Sequence, residues 1–287
     1  MMQIEKVGIA GFEGLGSGIV HVVSGAGYDV SVWSSDGQVL ERGKDELNKF
    51  LDEAVGSGTI KEEEKDNILD RLVFSTDMTV LKDADLVIES VSEDLDLKKQ
   101  IFSHVSALIK GEAVLATSTA CYSVTEIGRT AKNPQRTLGM HFFKPPHKVK
   151  LVEVVRSLDS SQEVIDLAVD FCAKIGKETV VAKDSPGFIV NYLFVPYMNQ
   201  ALRYYDQGLA DKEGLDTALR MGLGYPTGPL TLIDHLGLDE HLHLTSVLYD
   251  RLKDPRFAPP PILKRMVDGG RLGKKTGQGF YTYDEDS

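Results

Sequence analysis

His141 and Glu153 are the residues of this chain best suited by type to move a proton. They stand in GMHFFKPPHKVKLVEVV, residues 139 to 155, where two apolar runs flank a Pro-Pro turn, so the imidazole and the carboxylate can meet across the connection. A carboxylate orients an imidazole and stabilises its protonated form, which suits general acid/base work near neutral pH. A histidine without such a partner is more often structural.

A second stretch, KVGIAGFEGLGSGIV, opens from an apolar run onto glycines. A turn that holds a dinucleotide needs one glycine to bend, a second for close approach of the pyrophosphate, and a third to pack helix on strand. The frame runs Gly11-Phe12-Glu13-Gly14-Leu15-Gly16, so the second place holds Glu13. A carboxylate there competes with phosphate for the N–H groups and dipole of the helix start. The following strand should end in an acidic residue for the ribose hydroxyls, and it ends in Trp33-Ser34-Ser35 before Asp36. Gly11, Gly14, Leu15, Gly16 and Ser34 are the candidate cofactor contacts, for NAD with NADP as the alternative.

The elements that must position these groups follow a repeated β/α order. Val7 to Ala10, the glycine turn, an apolar helical pattern and YDVSVWS make a first βαβ unit. Residues 37 to 55 and 61 to 71 are two charged amphipathic segments around GSGT, more than one crossover needs, and predict an inserted helical hairpin. LVFS, ADLVIES, AVLATS, TLGMHFF, LVEVV and ETVVAK then read as strands. This order predicts a doubly wound Rossmann-type parallel sheet with an appended later strand or hairpin, the α/β class. From Gly187 apolar residues recur at helical spacing, with GFYTY as the one later strand. The expected domains are therefore residues 1–185, dinucleotide-binding, and an all-helical 186–287 for substrate and dimerisation.

The composition narrows the function classes. With 287 residues, 32 Lys plus Arg against 43 Asp plus Glu and a formal charge of −11, the surface offers no general attraction to nucleic acid or an anionic membrane. No apolar run reaches transmembrane length and no signal-peptide order opens the chain, which makes a cytoplasmic protein the expectation. Cys121 and Cys172 are the two cysteines, too few for a disulfide framework and without metal-site spacing. His241 and His243, spaced i, i+2 on a helical pattern, face apart, so no metal is expected.

Together IESVSEDLDLK, GMHFFKPPHKVKLVEVV, KDSPGFIVN and LGKKTGQGFYTY resemble, in order and over nearly the whole length, the short-form L-3-hydroxyacyl-CoA dehydrogenase family. The resemblance implies that His141 removes the 3-hydroxyl proton, that Glu153 holds it and that Asn191 orients substrate or histidine. It implies cofactor contacts from Glu93 and Lys98, an acyl-CoA substrate and a homodimer formed through the C-terminal domain. Against the family pattern, SNTSS is Thr117-Ser118-Thr119-Ala120-Cys121 and HFFNPP carries Lys144. Ser118, Ala120 and Lys144 thus occupy substrate-facing places, and Ala120 has no hydroxyl to donate. The tip of the hairpin, which the resemblance sets against coenzyme A, has only Lys49, Lys61 and Lys65 nearby. The expected activity is interconversion of a 3-hydroxyacyl-CoA and its 3-ketoacyl-CoA. An attenuated or non-catalytic acyl-CoA-binding protein on the same fold and a dehydrogenase of a related 3-hydroxy acid are the alternatives.

Overall fold

The computed structural model describes residues 3–13 and 15–284, so Gly14 lies outside the described residues. The chain divides into two units between Ser185 and Pro186.

In the first unit the order is β1 (Lys6–Ala10), α1 (Leu15–Gly25), β2 (Asp29–Trp33), α2 (Gly37–Gly56), α3 (Glu62–Leu69), β3 (Leu72–Ser75), β4 (Leu86–Glu89), α4 (Leu95–Leu108), β5 (Val114–Thr117), α5 (Val124–Gly128), β6 (Thr137–Phe142), β7 (Leu151–Arg156), α6 (Gln162–Lys174) and β8 (Glu178–Lys183). One eight-stranded sheet runs β3-β2-β1-β4-β5-β6-β7-β8. Only the β6–β7 pairing is antiparallel. Helices cover both faces, so β4, β5 and β6 are buried at every position, as a sheet interior requires. Ile9, Val32, Ile88 and Leu138 pack with Ile19 and Val20 of α1 and Phe171 of α6 on one side. Val87 and Leu115 pack with Phe102 of α4 and Ile127 of α5 on the other.

The strand order reverses between β1 and β4. Carboxyl ends of strands at such a reversal open a crevice where ligands settle in α/β sheets. Here the crevice lies between Gly11, which follows β1, and Ser90, which follows β4; the Ser90 N–H donates to Ala10 O at 2.8 Å. The hairpin predicted between the second and third strands is α2 and α3. Asp36 caps α2 by accepting from the Gln38 N–H, and Lys65 of α3 ties back to Asp52 of α2 at 2.5 Å.

The second unit holds α7 (Val190–Asp206), α8 (Lys212–Leu223), α9 (Pro229–Leu236), α10 (Leu238–Leu252) and α11 (Pro261–Asp268) around Met198, Leu202, Leu230, Ile233 and Leu263. The apolar pattern running from Leu230 to Leu252 is broken at Gly237, whose φ of 100° no side chain adopts easily. GFYTY does not form the strand read from its sequence: it makes only isolated bridges. The cause is Asp234, whose carboxylate accepts the backbone N–H groups of Phe280 and Tyr281 and the Tyr283 hydroxyl, replacing the ladder partners a strand would need. No described helix is long and apolar enough to cross a membrane.

Candidate active site

Antiparallel pairing of β6 and β7 sets His141 directly opposite Glu153, on one face of the sheet. His141 Nδ1 lies 2.6 Å from Glu153 Oε2, with the side chains 6% and 1% exposed. A carboxylate only accepts, so Nδ1 carries the hydrogen and Nε2 is the basic nitrogen. Phe143 packs its ring at 4.5 Å from the imidazole. The connection that follows is tethered. The ammonium of Lys177 donates to Pro146 O and to Val149 O, and Pro146 rests on Gly18 of α1, where any Cβ would meet the ring at 2.6 Å. Burial lowers the Lys177 pKa. Lys144, exposed, begins this connection at a cis bond to Pro145.

Lys98 organises a second cluster at the carboxyl ends of β4 and β5. Its ammonium lies 2.9 Å from Glu89 and 3.1 Å from Glu93, with almost no exposure. Glu89 also accepts from the Thr117 hydroxyl at 2.6 Å and from the Val91 N–H at 2.9 Å. Glu93 accepts from the Thr119 hydroxyl, the Ala120 N–H and the Cys121 thiol. Burial alone would push the Glu93 pKa up, but Lys98 and these donors outweigh it and hold the carboxyl below its ordinary range. Burial likewise works against the Lys98 charge, and the two carboxylates overcome it and raise its pKa. The stretch 117–121 is thus wrapped around Glu93. Thr119 and Cys121, the residues able to replace the missing serine hydroxyl, both donate to that carboxylate, while Ala120 contributes only its backbone. Ser118 is buried and its N–H donates to Glu89 O at 2.9 Å.

Gly11 and Gly16 keep the close backbone approaches that a dinucleotide turn needs. Gly11 has φ 104°, and a Cβ on it would come within 2.6 Å of Val91 N; one on Gly16 would come within 2.6 Å of Gly11 O. Among the described residues the only non-glycines with positive φ are Phe188 and Lys253, so Glu13 holds the second place without backbone strain. The Glu13 side chain is exposed, and among the described residues no N–H of the turn donates to it. Gly11 and Gly16 fit an NAD pyrophosphate at the start of α1. Leu15 is the first residue of α1 and half-buried, and Ser34 is buried with its Oγ accepting from the Asp36 N–H.

Asn191 is buried in the second unit, in the first turn of α7. Of the hairpin cations, Lys65 is paired with Asp52 and Glu62. Among the described residues no group of three or more His, Cys, Asp or Glu could hold a metal. His241 is buried, bonded to Asn199 at 3.0 Å, and burial lowers its pKa to about 4.

Sequence reasoning missed Glu89, which pairs with Lys98, and the Thr117 hydroxyl that donates to Glu89. The available signal was a glutamate closing an otherwise apolar strand, nine positions before a lysine.

Comparison with known proteins places this geometry in a family. The model of the 3-hydroxyacyl-CoA dehydrogenase NAD binding domain matches residues 6–185, and that of the 3-hydroxyacyl-CoA dehydrogenase C-terminal domain matches residues 187–283. The chain is 39% identical over 282 residues to a 3-hydroxybutyryl-CoA dehydrogenase of Mycobacterium tuberculosis, covering 98% of this chain and 99% of the relative. The crystal structure of M. tuberculosis FadB2 superposes with a TM-score of 0.96 at 39% identity, covering 99% of this chain and 100% of that one. The crystal structure of (S)-3-hydroxybutyryl-CoA dehydrogenase PaaH1 from Ralstonia eutropha gives a TM-score of 0.93 at 32% identity, with 99% and 100% covered.

Removing one member of the Lys98 cluster leaves a buried charge without its counter-ion. Lys98→Met should therefore destabilise the first unit by about 3–5 kcal/mol in urea unfolding. The Glu93 contribution is present above the ordinary glutamate pKa, about 4.3, and is lost as pH falls through its lowered folded value. The Tm gap between wild type and Glu93→Gln should accordingly stay constant from about pH 7 to 5 and close below about pH 4. The chain belongs to the 3-hydroxyacyl-CoA dehydrogenase family and is an oxidoreductase of that family.

Proposed function

We propose, from that family as premise, that the protein interconverts a 3-hydroxyacyl-CoA, such as 3-hydroxybutyryl-CoA, and its 3-ketoacyl-CoA with NAD. The observation that carries this reading is the buried 2.6 Å contact between His141 and Glu153. It presents Nε2 of a fixed, charge-supported imidazole at the end of a buried strand.

In the oxidising direction His141 Nε2 takes the proton of the 3-hydroxyl as the C3–H bond breaks and the C3–O double bond forms. NAD, when bound, supplies the acceptor for the hydride from C3. Glu153 stabilises the imidazolium that results, and in the reverse direction the same Nε2–H protonates the oxygen at C3. Because a proton held by a buried pair is poorly hydrated, its attraction to the carboxylate is stronger than it would be in water. Gly11, Leu15 and Gly16 would hold the pyrophosphate against the start of α1, and Gly14 belongs to the same frame. Glu93 and Lys98 would face the nicotinamide side, fixed there by Glu89, Thr117 and Thr119. Ser118, Ala120 and Lys144 are assigned to the substrate side and Asn191 to orientation of the substrate carbonyl. With alanine at position 120, the imidazolium is left as the principal donor to the C3 oxygen.

The same reading includes a cytoplasmic enzyme of fatty acid metabolism and a homodimer built through the C-terminal unit. The dimer is supported by large apolar side chains left exposed in that unit, among them Leu193, Met221, Leu223 and Tyr225.

His141→Gln should reduce NADH formation from 3-hydroxybutyryl-CoA by about a hundredfold to ten-thousandfold in a protein that still unfolds cooperatively on heating. Turnover equal to wild type would move the base elsewhere.

A further inference from the structure

We infer that Glu13 reads the adenosine ribose of the bound dinucleotide, standing in for the acidic residue that β2 lacks, and that it sets the choice of NAD over NADP. The inference rests on the NAD-dependent reading above.

Dinucleotide sites of this architecture use a carboxylate to accept hydrogen bonds from the ribose hydroxyls and to repel a 2′-phosphate. The end of β2 offers no such group. Ser34 is neutral and 6% exposed, and its Oγ already accepts the Asp36 N–H. The Asp36 carboxylate is committed as the α2 cap, accepting the Gln38 N–H at 2.8 Å. Glu13, exposed and two residues beyond the Gly11 whose N–H bonds Trp33 O, offers another carboxylate beside the end of β2.

The contacts of its neighbours place it there. Ala10 of β1 is the register partner of Trp33, and the Gly11 N–H donates to Trp33 O at 2.8 Å. The turn therefore leaves β1 one strand spacing, about 4.8 Å, from where β2 ends. Phe12 is buried, packed on Phe74 at 5.4 Å between centroids and filling the space that a Cβ on Gly43 would need. With Phe12 anchored inward, the next side chain is turned outward, and Glu13 is exposed. Its carbonyl accepts the Gly16 N–H at 3.0 Å, so the backbone is held by the turn while the carboxylate stays available. The second glycine place is where the backbone approaches the pyrophosphate, and from beside the end of β2 the inferred role of Glu13 is to take the hydroxyls that a strand-end carboxylate would take.

The surroundings do not favour the alternative of a 2′-phosphate. Recognition of that group calls for a cation with donors to spare. Lys44 of α2 instead bonds Glu41 at 2.7 Å and lies over the Phe74 ring. A carboxylate at Glu13 adds repulsion that a neutral turn would lack.

The test is equilibrium binding of NADH and NADPH to the full chain, read by quenching of Trp33, its single tryptophan, and by calorimetry. The proteins compared are wild type, Glu13→Gln, Glu13→Gly and the double variant Glu13→Gly with Ser34→Asp. Wild type should bind NADH at least tenfold more tightly than NADPH. Glu13→Gln, nearly identical in shape and at an exposed position, should weaken NADH about tenfold and bring the two affinities within about threefold. The double variant should recover both the NADH affinity and the preference. A Glu13→Gly variant that binds NADH more tightly than wild type would overturn the inference, because the carboxylate would then obstruct the pyrophosphate. An unchanged NADH to NADPH ratio in Glu13→Gln would overturn it also. Wild type that binds neither dinucleotide would overturn the NAD-dependent reading and the inference with it, whereas wild type that binds NADH with insensitive variants overturns the inference alone.

Discussion

The ammonium of Lys98, buried between Glu89 and Glu93, is the interaction on which the loops around the strand reversal depend. One cation joins the end of β4, the loop after it and the first turn of α4, and through the two carboxylates it also fixes Thr117 at the end of β5 and Thr119, Ala120 and Cys121 beyond it. Each carboxylate would be expensive to bury alone, and each is supplied with backbone or hydroxyl donors in addition to the lysine. Such a cluster tolerates little rearrangement, since loss of any member strands a charge. The loops that rim the crevice at the strand reversal are therefore held by electrostatics from beneath as well as by packing.

The second fixed point is the antiparallel pairing of β6 with β7. In an otherwise parallel sheet it does what a parallel connection cannot, bringing residues close in sequence into direct opposition on one face. His141 and Glu153 gain their contact from register alone, and Lys177 and Pro146 keep the connection from slipping. The two fixed points are independent: one orders the loops after β4 and β5, the other orders the imidazole at the end of β6.

Much of the architecture was legible because its signals are local. Apolar runs of strand length separated by helical patterns give the doubly wound sheet, and the surplus of charged helical sequence after β2 gives the hairpin of α2 and α3. The family was legible from four motifs in order. What was not legible depended on contacts distant in sequence. GFYTY has the composition of a strand, but Asp234, far earlier in the chain, takes its backbone N–H groups. Glu89 looked like the polar end of an apolar strand until Lys98 and Thr117 closed over it. Glu13 reads as an obstacle from residue type; what the fold adds is that its side chain is exposed while Phe12 beside it is buried against Phe74 and Gly43.

Around the departures at Glu13, Ser34 and Ala120, Gly11 and Gly16 keep their close backbone approaches, and the Ala120 N–H is anchored on Glu93. The central claim is that this arrangement still carries out hydride transfer, and the most direct measurement is steady-state turnover of the wild-type protein with 3-hydroxybutyryl-CoA and NAD, followed by NADH absorbance. The account predicts saturable NADH formation in both substrates, with acetoacetyl-CoA as product. Saturable binding of both substrates with no NADH formed would contradict it.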